Sequence, residues 1–172
     1  VQSPYRSGRR GVTSKVIVAL RVKANPERAF EVFTRDIGVW WRHNSLFRFT
    51  PRSPGTLAFE PGEGGRLTEI LPNGKVFEIG RIRAWEPPRR LVVGWRQATF
   101  APDQDTEVEI TFEPVGEETR VSVTHIGWDS VPQTHVAKHS FPDALFLRRH
   151  GEWWQSLLAS YKITIAERGE QS

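Results

Sequence analysis

The chain has 172 residues, 38% of them hydrophobic and 26% charged, which suits one domain with a single sizeable core. It contains no cysteine, which excludes disulfides, thiolate nucleophiles and cysteine-based zinc sites, and it has no apolar run of the roughly 20 residues that span a bilayer. The formal net charge is +4 and arginine outnumbers lysine 19 to 5, yet the basic residues sit among acidic ones such as Glu107, Glu109 and Glu113 instead of gathering into the face a nucleic acid requires.

Residues 1–12 are polar, basic and unpatterned and read as a flexible tail. A single domain is expected over 13–168, with a short tail over 169–172. Thr13 to Lys23 alternates, with Val16, Val18, Leu20 and Val22 on one face, and predicts a first strand. Asn25-Pro26-Glu27 is a helix start, because asparagine caps free amides, proline fits the first helical position and an acidic residue suits the helix N-terminus. The helix over Pro26 to Thr34 turns Ala29, Phe30 and Phe33 toward the core. A second short helix over Asp36 to Arg42 ends in Trp40-Trp41, and a loop follows over Asn44 to Gly55.

Strands are then predicted over Thr56 to Glu60, Arg66 to Leu71 and Val76 to Trp85, the last two joined by a hairpin at Pro72-Asn73-Gly74-Lys75. Leu91 to Arg96 reads as a buried strand beyond the Pro87-Pro88 corner. Thr106 to Glu113 and Arg120 to Ile126 form a half-buried hairpin, with Val108, Ile110, Phe112, Val121, Val123 and His125 inward. Asp143 to Glu167 has helical spacing in Leu147, Gly151, Trp154, Leu158, Tyr161 and Ile165, one long amphipathic helix that must bury its stripe. The connections are too short for parallel crossovers, so an antiparallel sheet wrapped around one helix is the expected α+β architecture.

Four segments, FEVFTRDIGVWW, GGRLTEILPNGKVFEIGRIRAWEPPRRLVVGW, TEVEITFEPVGEETRVSVTHIGW and GEWWQSLLASYK, give the chain a further identity. In this order it resembles the helix-grip fold of the START-like superfamily, with its polyketide cyclases and pollen allergens, and within it the family of activator-of-heat-shock-protein-ATPase homologues. The resemblance implies a curved sheet of about seven strands and a ligand cavity between the sheet and the long C-terminal helix. It carries over no catalytic set, metal or cofactor. The chain departs from the usual pattern at Trp153-Trp154 and in the segment VPQTHVAKHSFPDALFLRRH.

Within that frame the expected cavity residues are Phe33, Trp40, Trp41, Arg83, Trp95, Phe112, His125, Trp154 and Leu158. Aromatic faces suit rings, acyl chains or cations. Burying about 300 Å² of apolar ligand yields roughly 7 kcal/mol against an association cost of about 4 kcal/mol or more, so a polar anchor is needed, for which His125 and Arg83 are the candidates. His125 also reads as a satisfied core histidine. Arg81 and Arg83 share one strand face with Phe77, Ile79 and Trp85, and pattern alone does not decide whether that face is inward. His135 and His139, four apart, offer at most half a metal site between two prolines.

The expected function is the binding of a small hydrophobic or aromatic molecule by a cytoplasmic monomer or homodimer, with no nucleic-acid partner and no membrane insertion. Two alternatives stand beside it. One is a cyclase, dehydratase or hydrolase that uses the cavity, and the other is a co-chaperone that stimulates a chaperone ATPase through its surface.

Overall fold

The computed structural model describes residues 15–44, 48–50, 55–132, 134–139 and 141–170. The tail expected over 1–12 and part of the loop over Asn44 to Gly55 lie outside the described residues. Seven strands, β1 (Val16–Val22), β2 (Thr56–Phe59), β3 (Arg66–Ile70), β4 (Val76–Glu86), β5 (Arg90–Trp95), β6 (Thr106–Val115) and β7 (Glu118–Ile126), form one antiparallel sheet in the order β1-β7-β6-β5-β4-β3-β2. Two helices, α1 (Pro26–Arg35) and α2 (Ile37–Trp40), follow β1, and a long helix α3 (Asp143–Glu170) ends the chain. This is the α+β helix-grip arrangement that the segment order predicts. No helix among the described residues is long and apolar enough to cross a membrane.

The local chemistry of each element is the expected one. Asn25 caps α1 by accepting the Arg28 N–H at 2.9 Å, with Pro26 in the first turn and Glu27 against the positive end of the helix dipole. The β3–β4 hairpin differs in detail from a tight two-residue turn: Gly74 N–H donates to Leu71 O at 2.8 Å, and Gly74 alone takes a positive φ, of 86°. Proline at the second position of that turn favours an ordinary turn followed by a left-handed glycine, which is a common longer hairpin connection.

β4 explains why strict alternation fails to decide the facing of its arginines. Leu67 pairs with Gly80 and Thr68 with Glu78, leaving Ile79 extra; Ile82 pairs with Val93 and Ala84 with Val92, leaving Arg83 extra. Each β-bulge shifts the inward phase by one residue. Phe77 and Ile79 therefore face the core, Ile82 takes over between the bulges, and Trp85 faces the core again. Arg81 and Arg83 are left exposed on the outer face.

α3 packs against β1, α1 and α2 across the concave side of the sheet. Its buried residues form a broader stripe than the spacing suggests, with Phe146, His150, Trp153, Leu157 and Thr164 alongside Trp154, Leu158, Tyr161 and Ile165. Three hydrogen bonds tie the short helices into this core: Tyr161 Oη–H to Ala29 O at 2.6 Å, Ser160 Oγ–H to Trp40 O at 2.6 Å, and Trp40 Nε1–H to Phe33 O at 3.1 Å.

At the bend of β4, an added Cβ on Gly80 would lie 1.8 Å from the carbonyl oxygen of Gly94. Because that obstacle is backbone, it cannot swing aside. Gly80→Ala is expected to destabilise the fold by about 3 kcal/mol, read as a lower urea midpoint at unchanged slope; an unaltered midpoint would show that the two strands are not in close contact there.

Candidate functional site

The structure brings eight of the nine expected cavity residues together. Phe33, Trp40, Trp41, Trp95, Phe112, His125, Trp154 and Leu158 are all buried in one cluster between the sheet and α3. The rings among them pack closely at tilted angles, with centroids 4.9 Å apart for Phe33 and Trp40, 5.6 Å for Trp41 and Trp95, and 5.4 Å for Trp95 and Trp154. Arg83 stands apart from them. Its guanidinium lies on the outer face, over Gly94, and donates to Asp105 Oδ2 and Glu107 Oε1 at 2.8 Å each. These carboxylates raise its pKa, the Glu107 hydrogen bond most strongly.

His125 sits at the centre of a hydrogen-bonded chain whose polarity fixes its protonation. Thr106 Oγ1–H donates to Trp95 O at 2.5 Å, so the hydroxyl oxygen can only accept from His125 Nε2–H, 2.9 Å away. The other ring nitrogen, Nδ1, then receives two donors from successive turns of α3: His150 Nε2–H at 2.9 Å and Trp154 Nε1–H at 3.2 Å. A proton on Nδ1 would collide with both of them. The imidazole is therefore neutral, with every ring nitrogen engaged. Burial holds the pKa of His125 well below 6.5, and His150 beside it adds to the effect. Burial likewise pushes His150 down to about 3.

These positions give His125 a structural occupation that leaves no nitrogen for a ligand. Sequence spacing placed Trp154 on the buried stripe of the last helix but left His150 off it, although His150 lies one helical turn before Trp154 and thus on the same face. Of the other histidines, His135 accepts the Ala137 N–H at Nδ1 and places Nε2 3.0 Å from Thr99 O. No group of three His, Asp or Glu side chains suited to a metal occurs among the described residues.

A pocket of about 570 Å³ opens at the mouth of the grip, between α1, the end of β2 and the β4–β5 corner. One face of α1 supplies Glu27, Phe30, Glu31, Thr34 and Arg35. The opposite wall is Phe59, Pro61, Trp85, Pro87 and Pro88. Phe30 and Trp85 meet edge to face, 5.1 Å between centroids, and Phe30 leans in turn on Phe112 at 5.2 Å. The pocket therefore backs onto the predicted aromatic cluster without being made of it. Its α1 residues were readable as one helical face by their spacing of three and four, whereas Trp85 was hidden by the bulge at Arg83.

Both buried histidines are neutral in the fold and free to ionise when unfolded. Their folded pKa values lie below 6.5, so below that pH the unfolded chain takes up protons that the fold refuses. The histidine contribution to stability is expected to be flat above pH 6.5 and to fall by about 1.4 kcal/mol per pH unit for each histidine as the pH drops, for His150 down to about pH 3. Urea unfolding at several pH values checks this. His150→Phe should reduce the slope by about half, and an unchanged slope would assign acid sensitivity elsewhere.

No curated protein matches the chain. Among solved structures, the anthrahydroquino-gamma-pyrone synthase Txn09, complexed with SUM, is 32% identical with a TM-score of 0.50, covering 78% of this chain and 84% of that one. CalC from Micromonospora echinospora, described as a self-sacrificing resistance protein, is 28% identical with a TM-score of 0.59, covering 91% and 96%. PFC0360w, an HSP90 activator from Plasmodium falciparum, shares the fold at 18% identity and a TM-score of 0.60, covering 89% and 96%. Residues 23–162, from the end of β1 well into α3, match the family of Activator of Hsp90 ATPase homolog 1-like proteins, and the chain belongs to that family.

Proposed function

We propose that the protein binds a small aromatic molecule in the pocket between α1 and the β4–β5 corner. The observation that carries this reading is the wall itself: Phe30, Phe59 and Trp85 with three prolines around a space of about 570 Å³. Pockets of this size, mostly apolar and with a few polar groups at the edge, are the usual seats of small ligands. Phe30 is buried while Trp85 is only partly so, which leaves indole surface available to a flat guest. The rings behind Phe30, first Phe112 and then Phe33, support that wall from the core.

The similarity to Txn09, a synthase, favours one further reading, in which the bound molecule is also transformed. Any acid or base for such a step would come from Glu27 or Glu31 at the pocket rim, because both nitrogens of His125 are engaged in the core. The likeness to the HSP90 activator is one of fold, and no chaperone partner is inferred from it.

Titrating the protein into hydroxymethylanthracene, a neutral tricyclic probe, and following its fluorescence anisotropy tests the binding reading. Trp85→Ala is expected to weaken binding by about tenfold or more, since it removes both buried area and an aromatic contact. Trp85→Phe should recover part of the loss. Equal affinity in wild type and Trp85→Ala would place the probe elsewhere.

A further inference from the structure

The polar character of the pocket rim narrows the class of ligand, given the binding reading above. We infer that the pocket takes an aromatic molecule bearing a cationic amine. Three features of the rim converge on that class.

The first is charge. Glu27 and Glu31 face the pocket together with one guanidinium, Arg35, so the rim carries two negative charges and one positive, a net of −1, in a chain whose overall charge is +4. Arg35 Nη1 lies 2.9 Å from Glu31 Oε1, so the charges of that pair offset each other and Glu27 supplies the net charge. Glu27 has no ion pair among the described residues.

The second is the balance of donors and acceptors. Pro61, Pro87 and Pro88 form much of the opposite wall and have no backbone N–H. The Thr34 hydroxyl is spent on Phe30 O at 2.9 Å. Carboxylates only accept. A guest that brings its own N–H donors finds an acceptor in the Glu27 carboxylate, whereas a carboxylate or phosphate meets a rim whose net charge is −1. The third is the aromatic wall, because the π-face of an indole attracts a cation held over it.

The probe series is three anthracenes of nearly equal size: aminomethylanthracene, a cation at neutral pH, hydroxymethylanthracene, and the anthracene carboxylate. The amine is expected to bind about tenfold tighter than the alcohol, and the carboxylate more weakly than either. The preference should shrink as ionic strength rises. Glu27→Gln should bring the ratio of amine to alcohol affinity toward one, and Glu27→Lys should favour the carboxylate. If the alcohol binds and the amine binds no tighter, or if the preference survives both substitutions, the inference is overturned while the binding reading stands. If none of the three probes binds, both fall.

Discussion

The constraint on which the fold depends is the double-width apolar face of α3. Trp153, Trp154, Leu157, Leu158, Tyr161 and Ile165 are all buried, and no isolated helix can hide so broad a surface. A curved antiparallel sheet can when β1 and the two short helices flank the helix. The strands bring Val108, Ile110, Phe112, Val121 and Val123 to the concave side by simple alternation. α1 and α2 then close one end, fastened by hydroxyls and an indole to main-chain carbonyls, with an Arg168–Asp36 ion pair at 3.4 Å beside them. The energetic weight lies in hydrocarbon burial, and the polar bonds select one arrangement of it.

That division of labour bears on function. A core built from aromatic rings accommodates a polar group only when each of its hydrogen-bonding atoms has a partner. His125 meets that requirement by drawing on β6 and on two turns of α3. The histidine most suggestive of chemistry in the sequence is thereby turned into a joint between sheet and helix. In the binding reading proposed above, recognition falls to the mouth, where Glu27, Glu31 and Arg35 stay exposed beside apolar walls. Hydrated charges can exchange partners at little cost, whereas those sealed in the interior cannot.

How much of this was legible in the sequence depended on whether the signal was periodic. The seven strands, the N-terminal cap of α1 and the long final helix rest on spacing and turn chemistry, and they came through with boundaries shifted by up to three residues. Trp40, Trp41, Trp95 and Trp154, grouped in the sequence as cavity residues, lie together in one buried core, because residues that share a buried face of their element end there. Arg83 was grouped with them and lies outside, since one extra residue in β4 reverses its facing and alternation cannot register that. The pocket was not foreseen because its walls come from α1, β2 and a proline corner, elements far apart in the chain whose meeting is a matter of tertiary geometry. The partnership of His125 with His150 was hidden for the same reason.

The paired irregularities of β4 have an evolutionary corollary. A strand with one uninterrupted phase tolerates no change of length, as any gain or loss turns over every side chain on one side of the event. β4 is different at two points, because Ile79 and Arg83 are residues that the neighbouring ladders skip. Dropping either would straighten the ribbon locally while leaving Phe77, Ile82 and Trp85 pointing where they point now. Length is thus negotiable inside this strand at the exposed Arg83, whereas the buried Ile79 is held by the core even where the ladder skips it.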